Sequence, residues 1–509
     1  MASTLKMGRF VNVIKLMQIT RRMSTAPAFQ LHNQAFVNGN WVDAKAQNTF
    51  AVKDPATDEL ITSIPDMDEH DAEEAIQVAS EAFKSWKRTT AKERSKILRK
   101  WYDLIIANQD SLAEIMTRES GKPLKESIGE IMYSADYVEL YSEEAKRIHG
   151  EVLQSPVKSK EMLLIRQPIG VIGMLTPWNF PMAMIARKAA AALASGCTIV
   201  IKPAEDTPLS ALEFAALGKE AGIPDGVVNV VTSSRKNAAS VGLKLCTSPL
   251  IAGISFTGST AVGKILYKQC SGGIKRIGLE LGGNAPFIVF ESADVDKAVI
   301  AATASKFRNA GQTCVACNRL FVHESIQEEF TSKLKNAISG FVVGSGLNAN
   351  TNIGPLINQA QLTKVSSLVD DALSKGATAH VGGSPHSLGK LFYQPTLLSN
   401  INPTMLIYSA EIFGPVATVM SFKSEEEVIE KANDTPSGLA SYFFSNDIAQ
   451  IWRVAKALDY GMVGINEGII SAAEAAFGGI KESGMGREGS KHGIDEYTYI
   501  KYLCFGNLD

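Results

Sequence analysis

The heptapeptide GQTCVAC, residues 311–317, places Cys314 and Cys317 three positions apart in a chain that has only six cysteines. A thiol in such a turn can serve as a metal ligand, as half of a redox pair or as a nucleophile. A structural zinc needs four ligands. There is no second C-x-x-C, and the seven histidines (His32, His70, His149, His323, His380, His386 and His492) show no pairing at metal-ligand spacing. His323 offers a third ligand at best, so no metal is expected. A thioredoxin-like pair belongs at a helix start in a small domain, whereas this one lies deep in a long chain. What is left is one nucleophile, with the other cysteine as its neighbour or as core.

Four further segments have residue types suited to a reacting carbonyl and a nucleotide. In LTPWNFPM (175–182) two prolines and two aromatic residues hold Asn179 in a rigid turn. A fixed amide donor is what an oxyanion hole needs, although such an Asn can also satisfy its own backbone. GLELGGNAP (278–286) sets Glu280 at the end of an apolar stretch. Apolar surroundings raise a carboxyl pKa towards that of a general base, unless the residue is an exposed turn Glu. IKPAEDTP (201–208) brings Lys202 and Glu205 to the end of an apolar strand, where ribose hydroxyls or only solvent can meet them. FTGSTAVGKIL (256–266) is a strand, a glycine turn and a helix start, an arrangement that offers N–H groups to a pyrophosphate. Gly258 and Gly263 are spaced more widely than the G-x-G-x-x-G fingerprint requires, and a glycine after a strand is more often just a turn.

The elements around these segments are legible from pattern. FVNGNWVDA and TFAVKDP predict short strands with turns between them. Residues 69–149 read as mostly helical, with Ala72, Ile76, Ala79 and Phe83 at helical spacing and Asp68 or Asp71 as a cap. IGVIGMLTP and TIVIKP are continuous apolar runs of the kind buried on both faces of a parallel sheet. The stretch Asp206-Thr207-Pro208 reads as the start of a helix that Gly222 ends. VVNVVTSS, GISFTGST and RIGLELGG continue the alternation, which predicts a doubly wound α/β domain. A second α/β region begins near NAPFIVF (284–290), with helices at 293–310 and 324–338 and a strand in GMVGIN (461–466).

Bulk properties narrow the classes. The chain has 509 residues, 45% hydrophobic and 20% charged, with a net charge of −2. That describes two or three globular domains with no basic field for a nucleic acid. Sparse, isolated cysteines fit a reducing compartment. The first acidic residue is Asp43, after a stretch carrying Lys6, Arg9, Lys15, Arg21 and Arg22. Such a leader reads as a mitochondrial presequence over 1–26, or as a disordered arm. It is too short and too charged to span a membrane, and no other span is expected.

PWNFP, KPAE, FTGST, ELGG, GQTC, EIFGP and FGG-K-SG occur in this order over nearly the whole chain after about residue 35. As an ordered set they resemble the aldehyde dehydrogenase superfamily, and within it the mitochondrial branch that oxidises succinate semialdehyde in 4-aminobutyrate breakdown. The resemblance implies an α/β fold with a Rossmann-type cofactor domain (27–147 and 171–282), an α/β catalytic domain (283–482) and a small β oligomerisation arm (148–170 and 483–509). It implies Cys314 as nucleophile, Glu280 as activator of the hydrolytic water and Asn179 as donor to the oxyanion. Trp178, Lys202, Glu205, Gly258, Ser259 and Glu411 are implied around the cofactor. Arg187, Arg308 and Ser471 are implied at the substrate, whose distal carboxylate suits the guanidinium fork. The implied partners are a small aldehyde and further copies of the chain, as homodimer or homotetramer, in the mitochondrial matrix. Glu205 would repel a 2′-phosphate, which favours NAD while leaving NADP open.

Two departures stand out. Ala475 and Ala476 occupy the place where that branch usually has a Pro before Phe477, and C-x-x-C replaces C-x-C. Cys317 therefore keeps two readings. It is a small residue packed behind the loop, or it resolves an oxidised Cys314 into a disulfide, which requires β-carbons within about 4.5 Å. Glutarate semialdehyde or other aldehydes remain the alternative substrates.

Overall fold

The computed structural model describes residues 31–508. The presequence reading over 1–26 lies outside them. Two mainly parallel sheets organise the rest. The first has eight strands in the order Asn40–Val42, Ala35–Val37, Val228–Val230, Thr198–Lys202, Val171–Leu175, Ile251–Thr257, Arg276–Glu280 and Gly484–Met485. The five from Val228–Val230 to Arg276–Glu280 are parallel, and the outer ones antiparallel. Val171–Leu175 and Thr198–Lys202 are buried at every position, as their unbroken apolar sequences predict.

Register decides what those strands deliver. Leu175 lies abreast of Lys202 on one side and Phe256 on the other, and Thr257 lies beside Glu280. The carboxyl ends therefore finish in one row, the edge at which parallel sheets bind ligands. The second sheet runs Thr378–Val381, Thr396–Ser399, Val416–Phe422, Cys317–His323, Ala285–Val289, Ala440–Phe444 and Met462–Ile465. Only its first strand is antiparallel. A third, antiparallel sheet pairs Thr498–Phe505 with Glu161–Pro168 and that strand with Glu151–Leu153.

The helices follow the sequence pattern with two corrections. Glu69–Trp86 starts on Asp68, whose side chain and that of Asp71 form a reciprocal capping box. Leu209–Ala221 stops at Gly222 in the left-handed region, but neither Asp206 nor Thr207 caps its start. The carboxylate of Glu119 does so from another helix, accepting from Leu209 N at 2.7 Å and Ser210 N at 2.9 Å. Asp206 accepts instead from Asn358 Nδ2. The helix read at 293–310 is Val295–Phe307 and ends before the GQTC loop. No helix of the described residues is long and apolar enough to cross a membrane.

Candidate active site

The turn that leaves Val171–Leu175 is fixed residue by residue. Thr176 N donates to the Lys202 carbonyl at 3.2 Å. Trp178 meets Phe413 edge to face at 5.4 Å. Asn179 is 5% exposed. Its Nδ2 donates to the Gln312 carbonyl at 3.0 Å, two residues before Cys314, and its own carbonyl accepts from Asn309 Nδ2 at 2.9 Å. The predicted rigid amide is thus tied directly to the loop of the predicted nucleophile.

That loop departs from helical geometry at once. Asn309, Ala310 and Gly311 all have positive φ, at 52°, 53° and 73°. Asn tolerates this region and Ala does not, so Ala310 stores strain of about 1–3 kcal/mol. At Gly311 a Cβ would stand 2.0 Å from the Gly414 carbonyl oxygen, which leaves room for glycine alone. Gln312 locks the turn: its N and Nε2 donate to the Asn309 carbonyl at 3.0 and 3.1 Å, and its Oε1 accepts from Ile357 N at 3.0 Å. Cys314 emerges partly buried, and burial pushes its thiol up to about 12. Arg187 and Arg308 pull it down, against Glu411 and Glu280.

Glu280 ends the strand Arg276–Glu280 at 4% exposure, and its Oε2 has no hydrogen-bond partner among the described residues. Burial, then Glu488, holds it well above the usual carboxylate range, opposed by Arg187, Lys188 and Arg487. Arg187 and Lys188 are buried cations in the otherwise apolar helix Ala183–Ser195, and both are ion-paired with Glu488. The Arg187 guanidinium lies 4.4 Å from the Phe477 ring centre, and its Nη2 is a buried donor with no partner among the described residues. Arg308 stacks 5.2 Å from Phe180. Ser471 is half-buried in the segment after Met462–Ile465, and no hydrogen bond among the described residues ties it to either arginine. Sequence reasoning missed Glu488 and Lys188. Two adjacent cations inside an apolar helix were the available signal, because buried charges need a counter-charge.

Trp178, Asn179, Gly258, Ser259, Cys314 and Glu411 line one cleft of about 200 Å³. Ser259 caps the helix Thr260–Cys270, its Oγ accepting from Val262 N at 3.3 Å. The first N–H groups of that helix have no intrahelical partner and favour an anion. Gly258 N is not one of the free donors, since it bonds the Glu280 carbonyl at 3.0 Å. Its role is clearance: a Cβ there would meet the Phe256 ring at 2.4 Å. Thr257 Oγ1 beside it is buried and has no hydrogen-bond partner among the described residues. Glu411 Oε1 accepts from Gly283 N at 3.0 Å, among Gln361 and Lys364. An indole wall, a helix start and a far carboxylate fit a dinucleotide. Lys202 and Glu205 do not line this cleft. Lys202 is buried with Nζ on the Pro203 carbonyl at 3.0 Å, and Glu205 lines a separate cavity of about 470 Å³ with Glu119 and Asp206.

Cys317 begins the next strand with its back to the cleft. It is fully buried, and its Sγ donates to the Ala302 carbonyl at 3.6 Å within a core that includes Phe307 and Tyr442. Burial pushes this thiol up to about 11. The position suits the reading as a packed small residue.

The sequence profile described as the aldehyde dehydrogenase family matches residues 41–503. The mitochondrial succinate-semialdehyde dehydrogenase of Homo sapiens is 53% identical over 488 residues, 96% of this chain and 91% of the relative. Among solved structures, an NADP-dependent enzyme of E. coli superimposes with a TM-score of 0.92 at 50% identity, covering 94% of this chain and 98% of the other. A succinate-semialdehyde dehydrogenase from Burkholderia pseudomallei gives 0.92 at 51% identity with the same coverage.

Proposed function

The chain belongs to the aldehyde dehydrogenase family, and from that premise we propose that it oxidises succinate semialdehyde to succinate with NAD(P). The observation that carries the reading is the juxtaposition at Cys314: the Asn179 amide lines the same cleft, and two carboxyls, Glu280 and Glu411, and two cations, Arg187 and Arg308, act on the thiol. The Cys314 thiolate adds to the aldehyde carbon, forming a C–S bond and an alkoxide. Asn179 Nδ2 and the Cys314 N–H stabilise that oxyanion. Trp178, Gly258, Ser259 and Glu411, with Lys202 and Glu205 at the adenosine end, would hold the dinucleotide. When bound it supplies the two-electron acceptor for this oxidation. Glu280 takes a proton from the water that attacks the Cys314 thioester; the C–S bond breaks, the carboxylic acid leaves and the Cys314 thiolate is restored.

Arg187, Arg308 and Ser471 would hold the distal carboxylate, the guanidinium groups by paired hydrogen bonds. Glu205 inclines the cofactor choice towards NAD. The relatives' mitochondrial name and the basic leader both support the matrix as location. Further copies of the chain are the expected partners in a homodimer or homotetramer. Support for that comes from the third sheet, which leaves Val152, Ile500, Tyr502 and Phe505 exposed.

The test is a panel of aldehydes with and without a distal carboxylate, each assayed with NAD and NADP. Arg308→Ala is expected to lower kcat/KM about 100-fold for succinate semialdehyde and only about threefold for propanal, the latter through the Cys314 thiol. Equal losses on both aldehydes would remove the carboxylate-binding role.

A further inference from the structure

The helix Leu124–Glu144 lines no part of the Cys314 cleft, yet residues at its start reach both sides of it. Lys122, just before the helix, and Glu130, on its second turn, are buried and form an ion pair. Two charges taken out of water together are costly unless both make further hydrogen bonds, and both do. Lys122 Nζ donates to the Asn179 carbonyl at 2.7 Å and stands 4.5 Å from the Phe180 ring centre. The second oxygen of Glu130 accepts from Met182 N at 3.0 Å and Ala183 N at 3.2 Å. These N–H groups open the helix Ala183–Ser195, which has no side-chain cap of its own.

Glu126 lies one turn earlier on the same face. Its Oε2 accepts from Asn309 N at 2.8 Å, the first of the three left-handed residues. Asn309 Nδ2 shares the Asn179 carbonyl with Lys122, and Asn179 Nδ2 reaches back to Gln312. The two loops and the helix thus form a closed ring of hydrogen bonds around one peptide group, that of Asn179.

An apolar pair of similar volume can stabilise such a position as well or better, so stability alone does not account for the ion pair. What the charges add is direction. We infer that Lys122, supported by Glu130 and Glu126, is a positioning residue that aims the Asn179 amide at the oxygen bound to Cys314. It acts on the reaction only through that amide. The inference rests on the reading of Asn179 as the oxyanion donor and adds what aims it.

A double-mutant cycle tests this. Asn179→Ala is expected to lower kcat about 100-fold. Lys122→Met with Glu130→Gln removes both charges and keeps an amide oxygen for Met182 and Ala183. It is expected to lower kcat about 10- to 100-fold, with the aldehyde KM and the NAD dissociation constant changed less than about threefold. Added to Asn179→Ala, the same pair of changes costs less than about threefold more, because the donor it acts through is gone. Alkylation of Cys314 by iodoacetamide builds no oxyanion and keeps its rate in every variant.

Unchanged kcat in the charge-free variant overturns the inference. So do losses that multiply fully with Asn179→Ala, or alkylation that slows as much as turnover. If Asn179→Ala alone leaves kcat intact, the oxyanion reading fails first and takes the inference with it. Should the charge-free variant not fold, Glu126→Leu at its half-buried position replaces it in the same cycle. It is expected to cost about tenfold in kcat, to be non-additive with Asn179→Ala, and to be judged by the same outcomes.

Discussion

In the first sheet Asn179, Lys202, Gly258 and Glu280 all lie at or just past the carboxyl end of a parallel strand. In the second, Cys314 comes three residues before Cys317–His323 and Glu411 five before Val416–Phe422, so both belong to amino ends. Loops leaving the first sheet run into the starts of Ala183–Ser195, whose opening N–H groups Glu130 takes, and of Thr260–Cys270, where free N–H groups favour negative charge. The loop entering Cys317–His323 follows a helix end, where carbonyls are the unpaired groups. A thiolate gains nothing there. Three left-handed residues redirect that loop, and the compensating positive charge comes from Arg187 and Arg308. One sheet provides binding geometry at little backbone cost, while the other carries the nucleophile on a strained entry.

Removing the nucleophile should break the pairing of the two sheets most completely. Cys314→Ser is expected to lower kcat more than about 1,000-fold while NAD binding, followed by tryptophan fluorescence, is retained. Glu280→Gln should cost about 100-fold in steady-state turnover, yet keep a first-turnover burst of reduced nicotinamide, because only thioester hydrolysis needs this base.

The charge difference can be read by pH. With the thiol pushed up to about 12, iodoacetamide inactivation of the free enzyme should climb about tenfold per pH unit between roughly pH 7 and 10 without a plateau. Arg308 pulls that thiol down. Arg308→Ala therefore raises it further and is expected to slow inactivation about threefold at each pH.

The difference in strain predicts unequal glycine substitutions. Gly311→Ala pushes a methyl into backbone at positive φ and should destabilise the fold by about 3 kcal/mol in urea unfolding. Gly258→Ala opposes only a phenyl ring and should instead raise the NAD dissociation constant about tenfold with a stability loss of about 1 kcal/mol. The smallest effect is expected at Cys317→Ala: about 1 kcal/mol of stability and kcat within about twofold. Its recovery by dithiothreitol after peroxide should equal that of the parent, and poorer recovery would reinstate a redox partnership.

What the sequence made legible was local. The apolar run Val171–Leu175, the Asp68 cap and the Gly222 stop each carry their signal within a few residues. The motif residues Asn179, Gly258, Ser259, Glu411 and Cys314 were also legible, as an ordered set, and they share a cleft. Partners supplied from a distance were not. Glu119 caps a helix 90 residues further on, and Glu488 meets Lys188 across 300. Neither leaves a trace beside its target, since a helix start or a buried cation states a need without naming who meets it. The left-handed run was half visible: Asn309 and Gly311 tolerate positive φ, but Ala310 disguises the turn as more helix.

The pairing of Glu161–Pro168 with Thr498–Phe505 also has a consequence in time. The two strands are separated by about 340 residues, so at roughly 5–20 residues per second the earlier one waits about 20–70 s during synthesis for its neighbour. Through that interval its open edge can pair with any other strand it meets. Substitutions in Thr498–Phe505 should accordingly be read first in the yield of soluble chain made in the cell, and only afterwards in the turnover of the molecules that survive.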